Sequence, residues 1–245
     1  NMVSRINTTS RFSSAPWFDE AQKLNVLIAG LGGIGSNVAY NIGRIHPNSM
    51  ILYDNDKVEI DNISGQFYGL DDVNSNKVTA IADMLHNRCS YYNIYANNER
   101  LISPVKVEAD VMISGFDNML SREYIFKMWL DSNSKLLIDG RMSAEYFQVF
   151  ALCKEDTSNI LTYQSNYLFA DFLAETGVCS YKQTTFMATM IGSVITNVFV
   201  NYCTNLAYDK MKSEGYSEED IHFLPRDIPF LTTYDASTMM FQTKY

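Results

Sequence analysis

The sequence predicts an α/β protein: a Rossmann-like, doubly wound and mostly parallel sheet with helices on both faces, followed by a crossing segment, a helix and a tail. Three observations predict it. The apolar run Leu24-Asn25-Val26-Leu27-Ile28-Ala29 enters the turn Gly30-Leu31-Gly32-Gly33-Ile34-Gly35, after which Val38, Ala39 and Ile42 recur at helical spacing. Further short apolar runs at Met50–Tyr53, Val111–Gly115 and Leu136–Asp139 alternate with helical patterns, as parallel strands joined by crossover helices do. Asp54 then closes the second run about 20 residues after Gly35, where such folds place an acceptor for ribose hydroxyls.

Residues 1–23 read as an N-terminal arm carrying Arg5 and Arg11, in which Pro16-Trp17-Phe18-Asp19-Glu20 starts a short helix. The main body spans 24–206. Its glycine turn is predicted to cradle a phosphate: Gly30, Gly32 and Gly35 allow a sharp turn, close backbone approach and tight helix packing, and the new helix aims free N–H groups at the anion. Asp54, Asp56, Glu59 and Asp61 crowd the loop after the second strand. Lys77 opens a helix that sets Val78, Ile81, Ala82 and Leu85 on one face. A lysine in the first turn opposes the helix dipole, which makes Lys77 a candidate for meeting a bound phosphate.

Ile94-Tyr95-Ala96 reads as a third strand, and Asp117-Asn118 follows the fourth before a helix near Ser121-Arg122. The fifth strand runs into Gly140-Arg141-Met142, and Phe147–Leu152 reads as an edge strand. Asp54, Asp117 and Arg141, each after a strand, are expected to converge at one side of the sheet. Residues 154–183 read as a long crossing segment, and Phe186–Leu206 as a buried helix with Met187, Ile191 and Ile195 inward. Residues 207–245, with Pro225, Pro229 and little apolar periodicity, read as a C-terminal tail packed on the body or a partner.

Composition narrows the class. A net charge of -9 argues against a general nucleic-acid or anionic-membrane surface, because such binding is carried by clustered Lys and Arg. Cys89, Cys153, Cys179 and Cys203 form no C-x-x-C pair, so no structural zinc is expected. Phe186–Val200 is broken by Thr189, Gly192, Ser193, Thr196 and Asn197 and is expected to be too short and polar to span a membrane. The N-terminus shows no secretory pattern, and a cytoplasmic location is expected.

By themselves the glycines and Asp54 would serve ATP or NAD equally well. Further separated motifs choose between them: Gly30-x-Gly32-Gly33-x-Gly35-Ser36, Asp54-x-Asp56-x-Val58 with Asn62, Gln66-Phe67, Asp72-Val73 with Lys77, and Asp117-Asn118 with Arg122. In order and spacing these resemble the ThiF/MoeB/E1-like activating enzymes from about Val26 to Gln148. The resemblance implies ATP-dependent adenylation of the C-terminal glycine carboxylate of a ubiquitin-like or sulfur-carrier protein by a homodimer. It implies that Asp54 binds the ribose, Lys77 meets the phosphates and Asp117 holds Mg²⁺, while Gly30, Gly32, Gly33 and Gly35 admit the nucleotide. Asp56 belongs to the same nucleotide loop, and Asn62 and Gln66 orient the phosphates. Arg11 stands where family dimers donate an arginine to the neighbouring subunit, and Cys179 where some members carry an acyl-accepting cysteine.

Two departures matter. The family's usual N-x-x-R-Q is Asn62-Ile63-Ser64-Gly65-Gln66 here, so the phosphate-side arginine is glycine, with Arg5, Arg11 or Arg141 as its possible substitutes. Asn74 replaces the glycine of D-V-G-x-x-K. Gly65 keeps open a degenerate protein that binds nucleotide or carrier without turnover. An NAD-dependent oxidoreductase is the weaker alternative, because Lys77 and the acidic loop have no task in hydride transfer.

Overall fold

The structure, a computed structural model, describes residues 7–102, 106–169 and 183–245. After the short helix α1 (Phe18–Ala21), strands β1 (Asn25–Ala29), β2 (Ser49–Tyr53), β3 (Ile94–Asn97), β4 (Val111–Ser114) and β5 (Leu136–Ser143) pair in parallel in the spatial order β3-β2-β1-β4-β5. Successive residues of β1 enter opposite cores. Val26 and Ile28 pack on the face of helices α2 (Gly33–Gly43) and α3 (Lys77–Cys89); Leu27 and Ala29 pack with Ile125, Phe126 and Trp129 of α4 (Met119–Leu130). Burial on both faces is why β1, β2, β4 and β5 read as continuous apolar runs, whereas the edge strand β3 keeps Tyr95 and Ala96 exposed.

The sheet then turns antiparallel. The segment Phe147–Leu152, expected at an edge, lies within β6 (Tyr146–Cys153), which pairs antiparallel with β5 on one side and β7 (Leu231–Asp235) on the other. β7 and its partner β8 (Met240–Lys244) come from the segment read as a tail. β7 buries Leu231, Thr232 and Tyr234 and leaves Thr233 half-buried, an alternation too short and polar to stand out. All five residues of β8 are exposed.

Inside the expected crossing segment lies α5 (Thr157–Asn166), whose N-cap Asp156 accepts the Asn159 N–H at 3.0 Å. The last helix, α6 (Thr185–Ser213), is longer at both ends than the expected Phe186–Leu206. By length and composition, with a mean hydropathy of 1.4 over its most apolar stretch, it could cross a bilayer, contrary to the expectation from Phe186–Val200. Its residues Met187, Ile191 and Ile195 are nonetheless fully buried in the core beneath the sheet, and Gly192 packs so close to α2 that an added Cβ would come within 2.7 Å of the Asn37 Cβ. The polar residues do not break it, because Thr189, Ser193, Thr196 and Thr204 return their hydroxyls to the carbonyls four residues back at 2.7–3.0 Å.

The described part of the N-terminal arm is tied to the body. Thr8 Oγ1 donates to the Cys89 carbonyl at 3.0 Å and lies 3.1 Å from His46 Nε2, itself 2.8 Å from the same carbonyl. Burial lowers the His46 pKa below its ordinary 6.5, against the opposing pull of that carbonyl. The folded state therefore binds fewer protons at His46 than the unfolded chain, and this contribution to stability is present above pH 6.5 and lost as pH falls through the depressed value. His46→Asn, which keeps the left-handed backbone there (φ 62), is expected to flatten the loss of urea midpoint between about pH 7.5 and about pH 5.5. An unchanged slope would contradict it.

Candidate functional site

The carboxyl ends of β1, β2 and β4 meet where the strand order reverses about β1, the place where open α/β sheets bind ligands. The turn leaving β1 tolerates only glycine at two positions. Gly30 lies at φ 81, and a Cβ there would come within 2.9 Å of the Gly115 carbonyl carbon; one on Gly35 would lie 1.7 Å from the Gly30 oxygen. Gly35 thus closes the turn from behind, whereas Gly30, Gly32 and Gly33 line a cleft of about 200 Å³. A larger hollow of about 600 Å³ lies between Asn25, Asp110 and Met128, at the opposite ends of β1 and β4.

Asp54 secures the turn. Its Oδ2 accepts the Leu31 N–H at 2.6 Å and its Oδ1 the Asp56 N–H at 2.8 Å. Burial pushes the Asp54 carboxyl above its ordinary range, opposed by those two N–H groups and by the charge of Lys77. Lys77 is only 6% exposed yet lines the cleft from the first turn of α3. Its Nζ lies 3.5 Å from Oδ2 of the exposed Asp56, a weak pairing that leaves ammonium donors for a ligand. The tight turn before α3 puts Asn74 at φ 72, so asparagine fills the left-handed position of the family's glycine.

Asp117 reaches the rim from the loop after β4. Arg122 Nη2 holds the preceding Phe116 carbonyl at 2.8 Å, and Asn118 caps α4 by accepting the Ser121 N–H at 2.9 Å. Asn118 Nδ2 also donates to Asp117 Oδ1 at 3.3 Å. Mg²⁺ characteristically takes one or two protein carboxylates and completes its shell with water and substrate phosphates. The exposed Asp117 fits that use, and among the described residues no three His, Cys, Asp or Glu side chains form a cage.

Of the sequence-derived candidates, the structure gathers Gly30, Gly32, Gly33, Asp54, Asp56, Gln66, Lys77 and Asp117 around this cleft. Asn62 does not line it; its Oδ1 accepts the Glu59 N–H at 2.9 Å within a 3-10 turn. Arg11 is exposed on the arm and does not line its own chain's cleft. Cys179 and Arg5 lie outside the described residues. Cys89 and Cys203 are buried and Cys153 half-buried, and burial raises all three thiols, that of Cys153 to about 11.

Arg141 does not converge on the cleft and cannot substitute there for the missing motif arginine. It is buried under α5, donating from Nε to Asp139 Oδ2 at 2.8 Å and from Nη1 to the Tyr167 carbonyl at 2.8 Å. Polar residues of the cleft that sequence reasoning missed include Glu99 and Arg100 beyond β3, and Gln183 just before α6. No motif marks them; the sheet order brings Glu99 and Arg100, and the packing of α6 on α2 brings Gln183, to Asp54 and the glycine turn.

The ThiF family model matches residues 7–242. The chain belongs to the ThiF family. Among curated ThiF-related proteins, ubiquitin-like modifier-activating enzyme 5 of Caenorhabditis elegans is 25% identical over 93% of this chain, which spans 58% of that protein's length. Among solved structures, Escherichia coli MccB with MccA-N7isoASN gives a TM-score of 0.75 at 17% identity, covering 97% of this chain and 72% of that one. MccB with ATP gives 0.71 at 16% identity, over 97% and 71%. Likeness at that identity shows the shared fold, in which the ThiF chain described here places its glycine turn and strand-end acids on one cleft.

Proposed function

We propose that this ThiF-family chain adenylates the C-terminal glycine carboxylate of a ubiquitin-like or sulfur-carrier protein, using ATP and Mg²⁺. The convergence of the glycine turn, Lys77 and Asp117 on one cleft carries the reading. A carboxylate is a poor nucleophile toward a polyanion, so catalysis rests on neutralising phosphate charge and aligning the reactants. A carboxylate oxygen attacks the α-phosphorus, the acyl–phosphate bond forms, and the bond to the bridging oxygen breaks as pyrophosphate leaves with the electron pair. The glycine turn admits the phosphates to the start of α2, Asp54 accepts from the ribose, and Lys77 donates to phosphate oxygens. Mg²⁺, held by Asp117, would supply further charge neutralisation.

The names of the relatives support this reading, since one is a modifier-activating enzyme and another was solved with ATP. A cytoplasmic homodimer is part of the proposal, with the exposed Arg11 reaching a neighbouring subunit and Cys179 as an acyl acceptor. Labelled pyrophosphate should enter ATP when the protein is given MgATP and a carrier ending in glycine. ATP binding without exchange would favour the second reading, binding without turnover, for which Gly65 speaks. Thermal protection by NAD but not by ATP would reject both.

A further inference from the structure

The position of the absent motif arginine is not simply empty. Gly65 ends the 3-10 turn Ile60–Ser64 and is buried. A Cβ on Gly65 would lie 3.1 Å from both the Cβ and the Oε1 of Gln183, and a Cβ on Gly33 would lie 3.2 Å from the same Oε1. The Gln183 side chain therefore occupies the space that a larger residue at 65 would enter, and it lies over the first turn of α2. Thr185 fixes this arrangement by donating its hydroxyl to the Ser64 carbonyl at 2.6 Å, which pins the start of α6 to the 3-10 turn. A second amide stands beside it: Gln66 Nε2 is the nearest group to a Cβ built on Gly32, at 3.9 Å, and Gln66 Oε1 is buried without a hydrogen-bond partner among the described residues.

We infer that Gln183 replaces the missing arginine as the phosphate-side contact of this cleft, working with Gln66 as a pair of neutral amides over the glycine turn. The inference rests on the nucleotide reading above and names a residue that reading did not include. An amide N–H₂ donates to phosphate oxygens as a guanidinium does, with fewer donors and no charge. A Cβ at 65 would meet Gln183 at 3.1 Å and make it shift, so an arginine there competes with Gln183 for the same space, and the two solutions should be interchangeable but not additive.

The test is nucleotide titration by calorimetry, which needs no carrier protein. Gln183→Ala is expected to weaken MgATP about tenfold and leave AMP unchanged, because the contact is to the outer phosphates. Gly65→Arg alone should also weaken MgATP, by forcing Gln183 out of place. Gly65→Arg combined with Gln183→Ala should recover wild-type affinity or better. Gln183 is exposed, so unliganded thermal midpoints of the Gln183→Ala protein should match wild type. Equal MgATP affinity in wild type and Gln183→Ala, or equal losses for ATP and AMP, would overturn the inference while leaving the nucleotide reading intact. Failure of the wild-type protein to bind ATP at all would instead overturn that reading and the inference with it.

Discussion

Replacing Lys77 with methionine is expected to weaken MgATP binding on the order of 100-fold without loosening the fold. Lys77 is 6% exposed, so its aliphatic stem is packed and its ammonium sits in a partly dehydrated rim. Its recorded charge partner, Asp56 Oδ2 at 3.5 Å, is exposed and distant enough to offset little of that dehydration. A triphosphate would offset it strongly, because charge-assisted hydrogen bonds gain as water is excluded. Methionine keeps the stem and removes the charge, so the unliganded thermal midpoint should stay level or rise while the titrated affinity collapses. Unchanged affinity would refute the phosphate role of Lys77.

The second large effect is structural. Asp139 is 1% exposed and serves two buried arginines: Arg141 Nε at 2.8 Å, and Arg122 Nε at 3.8 Å, too long for a hydrogen bond and therefore a contact of charges alone. Tyr163 of α5 donates its hydroxyl to the same carboxylate at 2.9 Å. Asp139→Ala would leave both guanidinium groups buried without their anion, and is expected to cost about 3–5 kcal/mol of unfolding free energy. Asp139→Leu with Arg141→Met, which removes charges of both signs, should cost less than Asp139→Ala. Urea unfolding measures both, and a loss below about 1 kcal/mol for Asp139→Ala would show the network to be dispensable. Because Arg122 also holds the Phe116 carbonyl, this network braces the loop that presents Asp117.

How much of this was legible depended on burial. β1, β2, β4 and β5 announce themselves because helices cover both faces and leave little room for polar residues, and Lys77 stood out by opposing a helix dipole. β7 and β8 did not, since Thr232, Thr233 and Asp235 interrupt one and the other is exposed throughout. α5 was missed although Asp156, three residues before Asn159, is an N-cap signal. The polar interruptions of α6 misled because their hydroxyls satisfy themselves on the helix's own carbonyls. In the cleft, Asp54 and the glycines follow from motif spacing, whereas Glu99 and Arg100 become neighbours only through strand order and Gln183 only through the packing of α6 on α2. Arg141, expected after the fifth strand, lies inside β5, which runs on to Ser143, and its side chain takes the face covered by α5 rather than the cleft.

The two hydrogen bonds from Leu31 and Asp56 to Asp54 have a consequence for recognition. Each carboxylate oxygen has one lone pair engaged by backbone and another free, so incoming hydroxyls can be accepted without dismantling the turn. The turn is held by its own backbone hydrogen bonds, so a ligand accepted there loses little free energy to ordering the protein. Discrimination among ligands then falls to the side chains at the rim rather than to closure of the turn.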